Sequence, residues 1–284
     1  MNGTVVVGVD GSDSALDAVR WAAERARTGG ARLRLVHAET PLVGEVAELD
    51  GRTRVALHDQ ASQWVREAAD AARDVDPDVR LDVRLQVADP VPLLLAESID
   101  ADLLVLGSRG LGGFTSLLLG STAIAVTDHG GCPVVVVRGS GGTGPVVCGV
   151  EEENPAVLDR AFEEASARGV PLVAVRAWHA PPGPLAHAAG VDLAERDAQE
   201  GRKLARHLGP WREEYPDVAV EPVVARGNAA RALVERARDA ALLVVGCHGR
   251  GTLSGLLPGS TTHALLHHAP CPVLVVRATG REER

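Results

Sequence analysis

The sequence GSRGLGGFTSLLLGST at residues 107–122 returns as GCHGRGTLSGLLPGST at residues 246–261, 139 positions later in the chain. The same separation relates CPVVVVR at residues 132–138 to CPVLVVR at residues 271–277. A period of this length indicates duplicated domains, because the repeats of solenoid proteins are only about 20–50 residues long. The chain is therefore predicted to contain two copies of one fold.

The boundaries of the two copies follow from their first strands. VVVGVD at residues 5–10 matches VVCGVE, which begins 141 positions later. The segment between the copies, GSGGTGP, contains four glycines and is typical of a flexible linker. We therefore predict a first domain at residues 1–138, a linker at residues 139–145 and a second domain at residues 146–284.

Each copy alternates short apolar runs with amphipathic stretches. Runs such as LLVLG and VVVV lack alternating polar residues, which is typical of parallel strands covered on both faces. In the first copy we predict strands at 4–9, 32–38, 80–87, 102–107 and 133–138, and helices at 13–28, 53–74, 90–99 and 121–129. In the second copy we predict strands at 146–150, 170–177, 218–225, 241–246 and 272–277. The pattern predicts an α/β fold with two tandem doubly wound, five-stranded, mostly parallel sheets.

Composition narrows the classes of function. Hydrophobic residues make up 45% and charged residues 24% of the 284 positions, as in globular proteins. The formal net charge of −9 argues against a nucleic-acid partner, because such proteins normally carry a basic face. No apolar run approaches the ~18 residues of a membrane span, and the start MNGTVVVGVD lacks the basic region of a signal peptide. We therefore expect a cytoplasmic protein without a membrane partner.

Three patterns suggest cofactor, metal or redox chemistry but fail in their context. GSGGTG at residues 139–144 matches GxGxxG, yet it precedes a strand, whereas a dinucleotide-binding loop precedes a helix. His263 and His267 are four residues apart but have no evident third ligand, so no metal site is predicted. The four cysteines form no CxxC pair, and we interpret Cys132 and Cys271 as small buried thiols.

A glycine pattern marks the predicted ligand site. In doubly wound sheets, ligands bind beyond the carboxyl ends of the strands, where the strand order reverses. Strand 1 ends there at Asp10, and the pattern G-x2-G-x9-G-[ST] follows strand 4 with Gly107, Gly110, Gly120 and Ser121. Glycines let backbone N–H groups approach an anion, and the next helix adds donors, with Ser121 expected to cap it. The pattern indicates a phosphate cradle, and the alternative that the glycines only permit tight turns stays open.

The second copy carries the same pattern with one change of charge. Its pattern residues are Gly246, Gly249, Gly259 and Ser260, the last again expected as a helix cap. Arg109 adds a full positive charge to the first loop, whereas His248 stands at the matching position of the second. Histidine titrates near neutral pH, whereas arginine stays charged.

The DGS at residues 10–12, the glycine pattern and the CPV[VL]VVR strand together resemble the universal stress protein family in its tandem-domain form. The resemblance covers essentially the whole chain and implies ATP binding, with or without Mg²⁺. It places Val9 and Asp10 beside the nucleoside and the backbone of Ala38 near the adenine. The implied ribose and phosphate contacts are Gly107, Arg109, Gly110, Gly120, Ser121 and Thr122. The matching positions of the second copy are Ala177, Gly246, His248, Gly249, Gly259, Ser260 and Thr261.

The second copy departs from the family pattern at the end of its first strand. DGSDSA becomes EEENPA, so Glu151 replaces Asp10 and Glu152 replaces Gly11. A longer acid and a lost glycine crowd the crevice, and two carboxylates repel phosphate. We therefore predict weaker nucleotide binding, or none, in the second domain.

The resemblance leaves two classes of function. The first is a nucleotide-dependent regulatory or binding module in a bacterial stress response, whose protein partner the sequence does not name. The second is a slow ATPase or a related nucleotide hydrolase, which needs a held metal and a positioned nucleophile. Asp10 is the only obvious acid in the first crevice, so no catalytic residue is assigned and the binding module is favoured. Another adenine nucleotide, such as cyclic AMP, remains an alternative ligand.

The last strands of the two copies predict how the domains assemble. Both strands, at residues 133–138 and 272–277, are short and apolar, and an apolar edge strand invites pairing with another. A short linker raises their effective concentration to the millimolar range. We predict that they pair in antiparallel fashion within one chain, as an internal pseudo-dimer. A homodimer of whole chains is compatible with this arrangement.

Overall fold

The computed structural model describes residues 3–40, 51–111, 119–139, 141–151, 154–179, 192–247 and 259–277. The chain folds into two compact units, residues 1–138 and residues 139–284. We describe each unit by itself.

The first unit is a parallel sheet covered by helices, as the sequence predicts. Its elements are β1 (Thr4–Gly8), α1 (Asp13–Gly29), β2 (Arg32–Glu39), α2 (Gly51–Val75), β3 (Leu81–Val87), α3 (Pro90–Glu97), β4 (Leu103–Gly107), α4 (Ser121–His129) and β5 (Val134–Val137). The strand order is β3-β2-β1-β4-β5, and its pairs are parallel. The chain leaves β1 first toward β2 and later toward β4, so the order reverses beside the end of β1.

The second unit repeats this arrangement. Its elements are β6 (Val146–Gly149), α5 (Pro155–Arg168), β7 (Leu172–Trp178), α6 (Leu193–Glu214), β8 (Val220–Arg226), α7 (Ala229–Arg236), β9 (Leu242–Gly246), α8 (Ser260–His268) and β10 (Val273–Val276). The order within the unit is β10-β9-β6-β7-β8, with parallel pairs. The predicted fold of two doubly wound α/β units is confirmed.

Small and β-branched residues let helices lie close to each sheet. In α1, Ala18, Val19, Ala22 and Ala23 have no exposed surface, and the helix lies against β1 and β4. Alanine keeps full helix propensity while it allows close approach of the helix to the sheet. The core of the first unit therefore contains little aromatic side-chain volume.

The ends of α1 fix where the site begins. Ser12 is the N-cap, and its side chain accepts a hydrogen bond from the backbone N–H of Ala15. The helix ends at Gly30, whose φ of 62° lies in the left-handed region that glycine adopts without steric cost. Ser12 is the N-cap of α1 and also belongs to the loop that follows β1. The start of α1 is therefore joined directly to the carboxyl end of β1, where the predicted site lies.

The described residues of the glycine-rich segment before β6 lie against the second unit. Gly142 N–H donates to Ala240 O at 3.1 Å, and Gly144 N–H donates to Asp239 O at 3.2 Å. A Cβ on Gly144 would collide with that same Asp239 carbonyl. The glycines are thus needed for close contact with the turn that precedes β9.

Candidate functional site

A large cavity opens in the first unit at the carboxyl ends of β1, β2 and β4, with a volume of about 1340 Å³. Helix α2 forms one wall, and the start of α4 forms the opposite end. Every first-half residue that the sequence singled out lies on its lining. These residues are Val9, Asp10, Ala38, Gly107, Arg109, Gly110, Gly120, Ser121 and Thr122. The structure therefore brings together positions that are more than 110 residues apart in the chain.

The three glycines of the pattern fall into two groups, according to the space around each of them. A Cβ on Gly107 would lie 2.6 Å from the backbone oxygen of Ser14, and one on Gly110 would collide with the Asp10 carboxylate. These two glycines are required by packing. A Cβ on Gly120 would lie 3.8 Å from Ser108 O and 4.0 Å from Gly110 N, which is ordinary contact. A side chain at position 120 would therefore fill the space between the two arms of the loop without a clash.

The loop after β1 holds the glycine loop through hydrogen bonds. The Asp10 carboxylate accepts from Ser12 N at 3.0 Å and Ser12 Oγ at 2.6 Å, and from Leu111 N at 3.2 Å. Arg109 N donates to Ser14 Oγ at 3.3 Å. Asp10 is therefore engaged in joining the two loops, which is a structural task that the sequence did not indicate.

The start of α4 differs from the expectation that Ser121 caps it. The N-cap is Gly120, Ser121 is the first helical residue, and no side chain within the described ranges caps this end. The second unit has the same arrangement, with Gly259 as the N-cap before Ser260. The prediction of a serine cap is wrong in both units, because the glycine already has the extended backbone that a cap requires. The first N–H groups of α4 thus face the cradle without a side-chain acceptor.

An aromatic pair forms the wall between β2 and α2. His37 is 5% exposed, and its Nδ1 lies 2.7 Å from Val9 O, so Nδ1 must carry the hydrogen. The Trp64 indole meets the His37 ring edge to face, with centroids 5.6 Å apart. A Cβ on Gly11, whose φ is 85°, would collide with this indole. Sequence reasoning missed Trp64, although it is the only tryptophan in α2.

Charged groups line both ends of the cavity. Arg109 lies at the glycine loop, and Arg54 and His58 lie on α2 at the other end. His58 Nδ1 is 2.8 Å from Glu39 Oε1, so this pair connects the end of β2 to α2. The lining therefore combines basic groups at two separate places with a mostly apolar wall, as small-molecule sites commonly do.

The matching crevice of the second unit is much smaller, about 60 Å³ among the described residues. Of the predicted residues, Ala177, Gly246, Gly259 and Thr261 lie on its lining, and Ser260 does not. His248, Gly249 and Glu152 lie outside the described residues. Thr262 Oγ1 donates to Gly246 O at 2.7 Å, where the first unit has the methyl group of Ala123.

Metal centres and membrane spans are two further features to consider in the described part of the chain. No three His, Cys, Asp or Glu side chains there form a group that could hold a metal ion. No helix in those ranges is both long enough and apolar enough to cross a bilayer.

Comparisons with known proteins agree with the duplicated fold. A sequence model described as the universal stress protein family matches residues 1–138 and again residues 143–277. A universal stress protein of Mycobacterium tuberculosis (strain ATCC 25618 / H37Rv) is 36% identical over 286 residues, covering 96% of each chain. The crystal structure of a universal stress protein from Archaeoglobus fulgidus matches with a TM-score of 0.73 at 16% identity, over 99% of this chain and 98% of that one.

A further solved structure matches about half of this chain. It is described as a universal stress protein in complex with cAMP, with 33% identity and a TM-score of 0.36, over 48% of this chain and 96% of that chain. Family-model matches to both units, together with relatives of the same length, settle the classification: the chain belongs to the universal stress protein family.

Proposed function

We propose that the first unit binds an adenine nucleotide, ATP in the first instance, and that the protein is a nucleotide-dependent regulatory module in a stress response. The observation that carries this proposal is the cradle at Gly120, where backbone atoms of Ser108, Arg109 and Gly110 lie 3.8–4.0 Å from the place that a Cβ would take. An anion in that space would meet the uncapped start of α4 and its helix dipole. Arg109, on the same lining, would add a full positive charge.

The rest of the cavity suits the nucleoside. Val9 follows the end of β1 and Ala38 lies near the end of β2, both on the cavity lining. The buried His37 and the half-buried Trp64 provide an aromatic boundary beside them. The volume of about 1340 Å³ exceeds the ~300–1,000 Å³ that small-molecule sites commonly have, so a nucleoside triphosphate would not be crowded. ATP would supply binding energy and charge, and the chain would contribute a preformed loop.

The state of Asp10 favours a binding module over an enzyme. A general base must reach the proton that it removes, whereas both oxygens of Asp10 accept hydrogen bonds from the loops that they join. Removal of Asp10 would therefore loosen the loop before it changed any chemical step. The experiment described next would also detect slow hydrolysis of ATP.

The test uses native mass spectrometry of protein purified without added nucleotide, followed by calorimetric titration with ATP, AMP and cyclic AMP. Gly120→Val should weaken ATP binding about 100-fold, because it blocks hydrogen bonds to a charged group worth about 1.5–3 kcal/mol each. Gly209→Val is the matched control, since nothing lies within 4 Å of a Cβ there and the residue belongs to α6 of the second unit. Equal ATP affinity in Gly120→Val and wild type would refute the cradle. Release of labelled phosphate during the titration would favour the ATPase.

A further inference from the structure

We propose that the second unit has exchanged its nucleotide crevice for a buried ion cluster, so that each chain binds one nucleotide. The ion cluster consists of Arg176, Glu200 and Lys203. The count of one rests on the proposed function of the first unit, and the exclusion of nucleotide from the second unit rests on the geometry of the cluster.

The ion cluster ties α6 to the end of β7. Arg176 Nε donates to Glu200 Oε2 at 2.6 Å, and Lys203 Nζ donates to Glu200 Oε1 at 3.1 Å. Arg176 is 6% exposed and Glu200 3% exposed. Arg176 and Glu200 are thus closed to water, whereas Lys203 is about one third exposed. Arg196, which is half exposed, also places its Nε 3.7 Å from Glu200 Oε1.

The ion cluster occupies the positions of the aromatic wall in the first unit. Strand pairing sets the correspondence, because Val5 pairs with Leu33 as Val146 pairs with Leu172, which puts β2 and β7 at a separation of 139. At that separation, Arg176 stands for His37, Glu200 for Ala61 and Lys203 for Trp64.

An independent pair of contacts supports this register along the helices. In the first unit, His58 on α2 bonds Glu39 at the end of β2 at 2.8 Å. At the same separation in the second unit, Asp197 on α6 accepts from Trp178 Nε1 at 2.9 Å. The two helices therefore face their strands in the same way, and the differences at the wall are true replacements.

The replacements account for the difference in volume. His37, Ala61 and Trp64 all line the cavity of about 1340 Å³. Their counterparts in the ion cluster do not line the crevice of about 60 Å³. Among the described residues, the crevice of the second unit is therefore far smaller than the cavity of the first.

The ion cluster also resists displacement. A nucleotide that entered beside Ala177 would have to separate Arg176 from Glu200, and a buried pair that loses one partner leaves an uncompensated charge. Glu151, on the lining of the same crevice, adds a carboxylate near the phosphate end. The sequence predicts this repulsion of the phosphates. The ion cluster acts separately, because it excludes the adenine base from the other end of the crevice.

The first experiment counts nucleotides on the full chain by native mass spectrometry with ATP. Wild type should carry one ATP, and Gly120→Val should carry none. Two ATP molecules on wild type, or one on Gly120→Val, would overturn the proposal. No ATP on wild type would refute the proposed function of the first unit and, with it, the count of one, so the two failures are distinguishable.

The second experiment opens the second crevice in the Gly120→Val background. Arg176→His, Glu200→Ala and Lys203→Trp together reproduce the wall of the first unit and should restore one ATP per chain. The matched control is Arg34→Met with Glu97→Gln, which removes a partly buried pair of the first unit (3.0 Å) that does not line the cavity, and it should restore none. A folded triple variant that binds no ATP would show that the ion cluster is not what excludes nucleotide.

A reciprocal variant keeps the proposal falsifiable if the triple variant fails to fold. His37→Arg, Ala61→Glu and Trp64→Lys transfer the ion cluster into the first unit, with folding checked by circular dichroism. ATP binding should fall at least tenfold. A folded reciprocal variant with wild-type ATP affinity would overturn the proposal.

Discussion

The glycine loops of the two units share their glycines but differ in what surrounds them. In the first unit, Asp10, Ser12 and Ser14 hydrogen-bond to the loop at Arg109 and Leu111. At the corresponding positions the second copy has Glu151, Glu153 and Pro155, and proline has no hydroxyl group to accept the bond that Ser14 accepts.

The comparison teaches that a copied motif does not by itself make a copied site. The glycines allow a loop to approach an anion, but the cavity behind the loop is made by α2 in one unit and closed by α6 in the other. A binding site of this kind is therefore a property of three separate segments. Four predictions test this difference between the units, beginning with the largest expected effect.

The largest effect is expected in the second unit. Glu200→Ala should lower the free energy of unfolding by about 3–5 kcal/mol, because it leaves the buried Arg176 without its carboxylate. Urea denaturation of the full chain measures it. Glu221→Ala is the control, since its pair with Arg236 is exposed and should contribute less than about 1 kcal/mol. Equal losses in both variants would mean that the ion cluster is not stabilising.

The next effect belongs to the first unit. Gly11→Ala should cost about 2–4 kcal/mol, because it combines a positive φ with a collision against the Trp64 indole. Gly30→Ala has a similar φ of 62° but open space around it, so it should cost only about 1–2 kcal/mol. The difference between the two midpoints of thermal unfolding isolates the contact with Trp64. Identical midpoints would contradict that contact.

The third prediction concerns acid stability. Burial raises the pKa of Glu200, but hydrogen bonds from Arg176 and Lys203 outweigh it and bring the pKa below the usual 4.5. A lowered folded pKa stabilises the protein above about pH 4.5, and this contribution is lost as the pH falls through the folded value. Glu200→Gln should therefore flatten the loss of stability below pH 4.5, by at most about 1.4 kcal/mol per pH unit. If the free energy of unfolding changes with the same slope between pH 3 and 6 in wild type and in Glu200→Gln, the lowered pKa of Glu200 is contradicted.

The smallest effect is expected at the loop tether. Ser14→Ala removes the acceptor for Arg109 N and should cost about 1 kcal/mol of ATP binding energy, or roughly fivefold in affinity. Ser166→Ala is the control, because that serine bonds Asp217 on the surface of the second unit. Calorimetric titration compares the two variants. Equal ATP affinities would mean that the loop keeps its shape without Ser14.

The elements, and the convergence of the first-half residues on one cavity, could be predicted from the sequence because both follow from local patterns. The contacts of those residues with a ligand stay a prediction. Apolar runs define the strands, and the carboxyl ends of parallel strands converge at the same edge, which brings Asp10 to Gly110. The helix wall was not predictable in this way. The separation of the copies changes from 141 to 139 somewhere between Asp10 and residue 77, so the partner of Trp64 could not be aligned from sequence alone.

The ion cluster escaped prediction for a related reason. Arg176 and Glu200 are 24 residues apart on different elements, and nothing in their spacing indicates contact. Charged residues on an amphipathic helix normally face water, and Glu200 is an exception that only packing against β7 reveals. The serine caps were wrong for a local reason, since both a glycine and a serine are acceptable at that position.

The contact between Gly11 and Trp64 has an evolutionary consequence. Any side chain at position 11 collides with the indole, so these two positions cannot change independently and are epistatic. In the second copy both have changed, to Glu152 and Lys203. Loss of the indole would remove the steric part of the constraint on the glycine and leave only the part that comes from its φ of 85°. The duplicated gene could thus keep one copy under purifying selection while its neighbour diverged, and a return to the ancestral pair would require two coordinated substitutions.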